Sequence, residues 1–144
     1  MNQDIIAKAA EIVKENSVYG GEASFGICTL SLIDAEGFPT ASVITPLKSD
    51  GINWITFSAM LDGNKAKRIA NCNRASVCFG TAEHCVNLVG EIEVIISDDV
   101  KHDMWFDGLK MHFTGPDDPN YCVLRFTTKR YKFFIGYEDV AGTL

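Results

Sequence analysis

Positive charge is scarce in this chain: 13 Lys and Arg stand against 19 Asp and Glu, leaving a net charge of −6 over 144 residues. Such a balance disfavours general attraction to nucleic acid or to an anionic membrane, while leaving room for a local basic pocket. No apolar run approaches the roughly 18 residues of a membrane span. The N-terminus, Met1-Asn-Gln-Asp, lacks the basic-then-apolar pattern of a signal peptide, so the cytoplasm is the expected location. The five cysteines, at 28, 72, 78, 85 and 122, are odd in number and contain no Cys-x-x-Cys pair. A disulfide scaffold or a zinc site is therefore not expected. His84, His102 and His112 have no metal-ligand spacing with them, and no metal is expected. There is also no internal repeat, no low-complexity segment and no linker.

What is present is a globular composition, 47% hydrophobic and 22% charged, expected to form one domain over residues 1–144. Asp4 to Asn16 reads as an amphipathic helix, with Ile5, Ala9, Ile12 and Val13 at helical spacing. Strand-like runs follow at Ser24–Ile33 and Phe38–Thr45, joined by the turn Asp34-Ala-Glu-Gly37. A third strand is expected at Ile52–Ser58, a fourth at Ala75–Gly80, and a long one at Cys85–Ser97. Gly90 inside that long run suggests a bend or a close approach by another group. Asp98-Asp99 opens a helix expected to reach about Leu109 and to carry Trp105 and Phe106. The turn-rich loop His112–Asn120 separates it from two further strands, Tyr121–Thr127 and Tyr131–Tyr137, with Lys129-Arg130 between them. Short turns between consecutive strands favour an antiparallel sheet that curls into a barrel. The expected class is α+β, a six- to seven-stranded split β-barrel with flanking helices.

The stretch Trp54–Ser76 concentrates the chemistry. An apolar strand passes through the turn Asp62-Gly63-Asn64 into a short helix carrying Lys65, Lys67 and Arg68. A helix start offers unpaired backbone N–H groups and partial positive charge, which with nearby cations makes a phosphate cradle. An ordinary β-to-α connection with solvated lysines has the same pattern. His102 and His112 are acid–base candidates by residue type only, and no residue is singled out as catalytic.

Four pieces in order resemble the pyridoxamine 5′-phosphate oxidase-like FMN-binding split-barrel superfamily, in its short general-stress-protein branch. They are Asp34-Ala-Glu-Gly-Phe-Pro-Thr-Ala-Ser-Val-Ile44, Phe57-Ser-Ala-Met-Leu-Asp-Gly-Asn-Lys-Ala-Lys-Arg-Ile69, Asn73-Arg-Ala-Ser-Val-Cys-Phe79, and Gly115-Pro-Asp-Asp-Pro119 followed by Val123-Leu-Arg-Phe-Thr127. The resemblance covers nearly the whole chain. It implies a homodimer with FMN at the subunit interface. It also implies that Lys65 holds the phosphate, flanked by Gly63 and Asn64, and that Ser42, Val43, Ile44, Phe57, Ser58 and Ala59 line the flavin. Trp105 would reach the cofactor from the later helix or the loop after it. Two positions depart from the family pattern: Ser42 stands where an arginine is common, and Gly63 where a serine often precedes the lysine.

The expectation is an FMN-dependent oxidoreductase passing hydride or electrons between a reduced nicotinamide (NADH or NADPH) and a small acceptor. Neither nucleic acid nor membrane is expected as a partner. The alternatives are a non-catalytic flavin-binding stress protein, or a split barrel binding another phosphate ligand or haem. True pyridoxamine phosphate oxidase activity is not expected, because no basic C-terminal segment is present.

Overall fold

Alternation of buried and exposed residues builds most of this molecule, and helices appear only where that alternation gives way to a three-to-four spacing. The computed structural model describes residues 2–21 and 26–144. In α1 (Asn2–Glu15), Ile5, Ala9 and Val13 form one fully buried stripe packed toward the sheet. Strands β1 (Cys28–Ile33) and β2 (Pro39–Ile44) pair as a hairpin in which Leu30 faces Ser42 and Leu32 faces Thr40. Ser24 and Phe25, where the first strand was expected to begin, lie outside the described residues. The short β3 (Ser49–Asp50) leads into β4 (Trp54–Met60), α2 (Asn64–Asn71), β5 (Arg74–Gly80) and β6 (His84–Ile95). Next come α3 (Asp98–Met104), a single 3-10 turn at Asp107–Met111, β7 (Tyr121–Ile135) and β8 (Glu138–Thr143).

All strand pairs described are antiparallel, in the order β2-β1-β5-β6-β7-β4-β3, with β8 also on β7. Leu30, Ile55, Phe57, Val77, Leu88 and Leu124, drawn from five strands, meet in one core, so the sheet curls on itself. Among the described residues β2 and β4 exchange no ladder hydrogen bonds, and the barrel is split there.

Three elements differ from the sequence-based expectation. First, Tyr121 to Ile135 is one strand, because Lys129 and Arg130 simply point into solvent, Lys129 reaching Glu91 at 3.3 Å. Nothing in that pair of long charged residues forces a turn. Second, the tail pairs as β8 beyond the end of β4, through a turn at Gly136 and Tyr137 that both have positive φ, 60° and 64°. Such a turn matches the twist of a hairpin. With β3 this brings the strands to eight among the described residues, against the six to seven expected. Third, α3 stops at Met104, and Trp105 and Phe106 are extended.

Candidate functional site

At the split, β2, β4 and the start of α2 enclose a cavity of about 480 Å³, within the range of small-molecule sites. Ser42 and Ile44 enter it from β2, because alternation turns every second residue of that strand inward. Ser58, Ala59 and Met60 enter from the end of β4. The Ala59 carbonyl accepts the Cys122 thiol at 3.3 Å, and burial pushes that thiol up to about 11, keeping it a donor. Gly63, Asn64, Lys65 and Arg68 come from the turn and α2, and His112 and Phe113 from the loop before β7.

The phosphate-cradle features lie on α2. Ala66 and Ile69 bury its inner face, which leaves Lys65 and Arg68, three residues apart, side by side on the groove face. No acidic residue occupies the first turn, and Gly63 at the N-cap supplies no side-chain hydrogen bond. The first N–H groups of the helix are thus left for another partner. Among the described residues, neither Lys65 nor Arg68 is ion-paired with a carboxylate. Lys65, in the first turn of α2, opposes the helix dipole, and Arg68 beside it adds like-charge repulsion. An anion in the groove relieves both.

The opposite wall is apolar and braced from behind. Phe113, only 6% exposed, packs on Tyr121 at 5.1 Å between ring centroids, and Trp105 packs on the same Tyr121 at 5.4 Å. Tyr19 donates its hydroxyl to the Trp105 carbonyl. Trp105 therefore packs against a second small core and, among the described residues, does not line the groove. Phe57, at 0% exposure, lies in the main core behind the groove, and Val43, at 64%, projects from the other face of β2. Of the ten residues expected at a cofactor, Ser42, Ile44, Ser58, Ala59, Gly63, Asn64 and Lys65 thus come together in one cavity. Met60, Arg68, His112 and Phe113 join them. Arg68 was visible in sequence as a helix cation, and His112 only as a residue type.

The loop that brings His112 and Phe113 here is tied by Asp118. Its carboxylate accepts the Thr114 N–H at 2.9 Å and the Asn120 N–H at 2.9 Å, and these bonds hold its pKa below the ordinary 3.8. A carboxyl depressed on folding stabilises the fold above its unfolded pKa and loses that contribution as pH falls through the folded value. The melting temperature should therefore drop on acidification below about 3.8, and Asp118→Asn should reduce that drop in calorimetry. An identical acid limb in the variant would contradict the assignment.

Desolvation disfavours Cys28 and Cys78 as nucleophiles. Burial pushes Cys28 up to about 12 and Cys78 up to about 11, so both remain thiols near neutrality. Among the described residues no three His, Cys, Asp or Glu side chains gather as a metal site.

Residues 22–134 match the pyridoxamine 5′-phosphate oxidase family. No curated protein matches the chain. Among solved structures, a Clostridium acetobutylicum protein related to general stress protein 26 superposes with a TM-score of 0.83 at 20% identity, covering 100% of this chain and 97% of the other. A pyridoxamine 5′-phosphate oxidase-related, FMN-binding protein from Nostoc punctiforme gives 0.69 at 13% identity, covering 99% and 96%. A haem-binding protein from Mycobacterium smegmatis gives 0.70 at 20% identity, covering 96% of this chain and 57% of its own. At these identities the superpositions establish the shared fold.

Proposed function

This chain belongs to the pyridoxamine 5′-phosphate oxidase family, and from that membership together with the groove we propose that it is an FMN-dependent oxidoreductase acting as a cytoplasmic homodimer. One observation carries the flavin reading. Lys65, at the uncapped start of α2, and Arg68, one turn on, face a single cavity without a carboxylate partner among the described residues, while Ile44, Ala59, Met60 and Phe113 give the cavity an apolar part. A phosphate bonded to a planar, amphipathic ring has the same division of character. Lys65, Asn64 and the first N–H groups of α2 would hold the phosphate. Ile44, Ala59, Met60 and Phe113 would bury the ring, with the Ser42 and Ser58 hydroxyls as its polar neighbours. Phe57 would support the end of β4 from behind, and Val43 and Trp105 would contribute at or near the subunit interface.

Bound FMN supplies the hydride and electron chemistry, and the protein binds, orients and excludes water. Reduced nicotinamide is the proposed donor. Anaerobic mixing of the FMN-loaded protein with NADH or NADPH should bleach the visible flavin band. A band that persists with both would leave a flavin-binding protein without nicotinamide turnover, the non-catalytic stress-protein reading. Sedimentation should give twice the chain mass, and a monomer at all concentrations would remove the shared interface.

Haem is a second reading with one observation behind it: His112 and Met60, both residue types that ligate haem iron, line the same cavity. A Soret shift on adding haem that His112→Ala abolishes would favour it over FMN. An unshifted free-haem spectrum would eliminate it.

A further inference from the structure

A second cavity, of about 510 Å³, lies behind the groove between α2 and the β1–β2 turn, and Asn64 and Arg68 line both spaces. Arg68 is held in that dividing position. Its Nη1 donates to Thr40 Oγ1 at 3.3 Å, and the Thr40 hydroxyl in turn donates to the Leu32 carbonyl at 2.8 Å. With its proton committed to Leu32, the Thr40 oxygen turns its lone pairs to the guanidinium. The Arg68 side chain therefore bridges from α2 to β2, two residues along the strand from Ser42, and its other N–H donors remain free for an anion. On its second side the neighbouring cavity is lined by Asp34 and Glu36 as well as Lys67, so its charge is mixed and gives a further phosphate no net attraction there.

From this placement we infer that Arg68 is the specificity-determining residue of the groove, selecting a ligand that ends in a phosphomonoester. The guanidinium binds the terminal phosphate opposite Lys65. The Arg68–Thr40 bridge closes that end to a ligand that continues past the first phosphate. The inference rests on the flavin reading above. It separates three flavins by chemistry alone: riboflavin lacks the phosphate, FMN ends in it, and FAD continues beyond it.

The test is titration of wild type, Arg68→Ala, Arg68→Lys and Thr40→Val with riboflavin, FMN and FAD, followed by flavin fluorescence, with circular dichroism confirming the fold of each variant. Wild type should prefer FMN to both others. Arg68→Ala should lose about ten- to a hundredfold in FMN affinity, the range of one charge-assisted bond, with riboflavin unchanged and the FMN preference over FAD reduced. Arg68→Lys and Thr40→Val should fall between, since each keeps the charge and loses the bridge. Equal losses for FMN and riboflavin, or an unchanged FMN affinity in folded Arg68→Ala, would overturn the inference while leaving the flavin reading intact. Wild type that binds none of the three would overturn the flavin reading, and this inference with it.

Discussion

Gly90→Ala is expected to cost about 3 kcal/mol of stability, near the upper end for overpacking at a single site. The reason is geometric. β6 and β7 slip register between Val89 and Gly90, and the resulting bulge presses residue 90 against the facing strand. A Cβ there would overlap the Thr127 carbonyl oxygen and stand 2.9 Å from its carbon and 3.1 Å from the Thr128 Cα. Both neighbours are backbone, so no side-chain rotation relieves the clash. The strand must part from β7 or the bulge must move, and β7 is the strand on which β4, β6 and β8 all pair. Against a total stability of roughly 5–15 kcal/mol, that loss should appear as a large fall in denaturant midpoint. Gly115→Ala, where an added Cβ meets nothing within 4 Å, should leave the midpoint nearly unchanged. Similar midpoints for the two variants would refute the account of the bulge.

Lys65→Ala is the second large effect expected, this time on binding. Half-buried on the groove face of α2, Lys65 has no carboxylate partner among the described residues, so removing it breaks no ion pair and leaves no buried charge stranded. The loss should therefore be confined to the ligand. About 1.5–3 kcal/mol per charge-assisted bond corresponds to roughly ten- to a hundredfold in FMN affinity. The melting temperature without ligand should stay the same or rise slightly, since one of two repelling helix cations is gone. Lys67→Ala is the control, because Lys67 faces the neighbouring cavity rather than the groove. Isothermal titration reads both. An equal fall in the two variants would show a general electrostatic effect instead of a placed contact.

How much of this was legible beforehand varied with the range of the forces involved. Gly90 stood out because a glycine inside a strand of β-branched and apolar residues has few explanations, and the bulge is one of them. The strand–turn–helix from Trp54 to Asn71 was legible because its signals are local: an apolar run, a glycine turn, then Ala66 and Ile69 at helical spacing. On β2, alternation distinguishes Ser42 and Ile44, which face the groove, from Val43, which does not. The same alternation was less decisive on β4, where Ile55, Thr56 and Phe57 are all buried because core lies on both sides of that strand. Trp105 illustrates a different difficulty. A large aromatic near a loop serves a core as readily as a cofactor, and the edge-on packing against Tyr121 distinguishes the two.

His112 and Phe113 were not legible as groove residues, because long-range contacts decide where their loop sits. Buried Lys101 donates to the Asp118 carbonyl at 3.0 Å, Tyr121 donates its hydroxyl to the Lys101 carbonyl at 2.9 Å, and the Leu61 N–H reaches the Asn120 carbonyl at 2.8 Å. None of these pairings has a local signature. The continuity of β7 through Lys129 and Arg130, and the pairing of β8, depend likewise on strands far away in sequence. Arg68 lies between these cases: its helix face follows from spacing, whereas its bond to Thr40 required the hairpin to be in place.

The central claim is that this groove binds FMN through a phosphate held at the start of α2. Titrating the folded wild-type protein into FMN, and following the visible spectrum and flavin fluorescence, tests it most directly. The account predicts saturable perturbation at micromolar concentrations or below, one FMN per chain, greatly weakened in Lys65→Ala. An FMN spectrum that stays that of the free flavin throughout would contradict it.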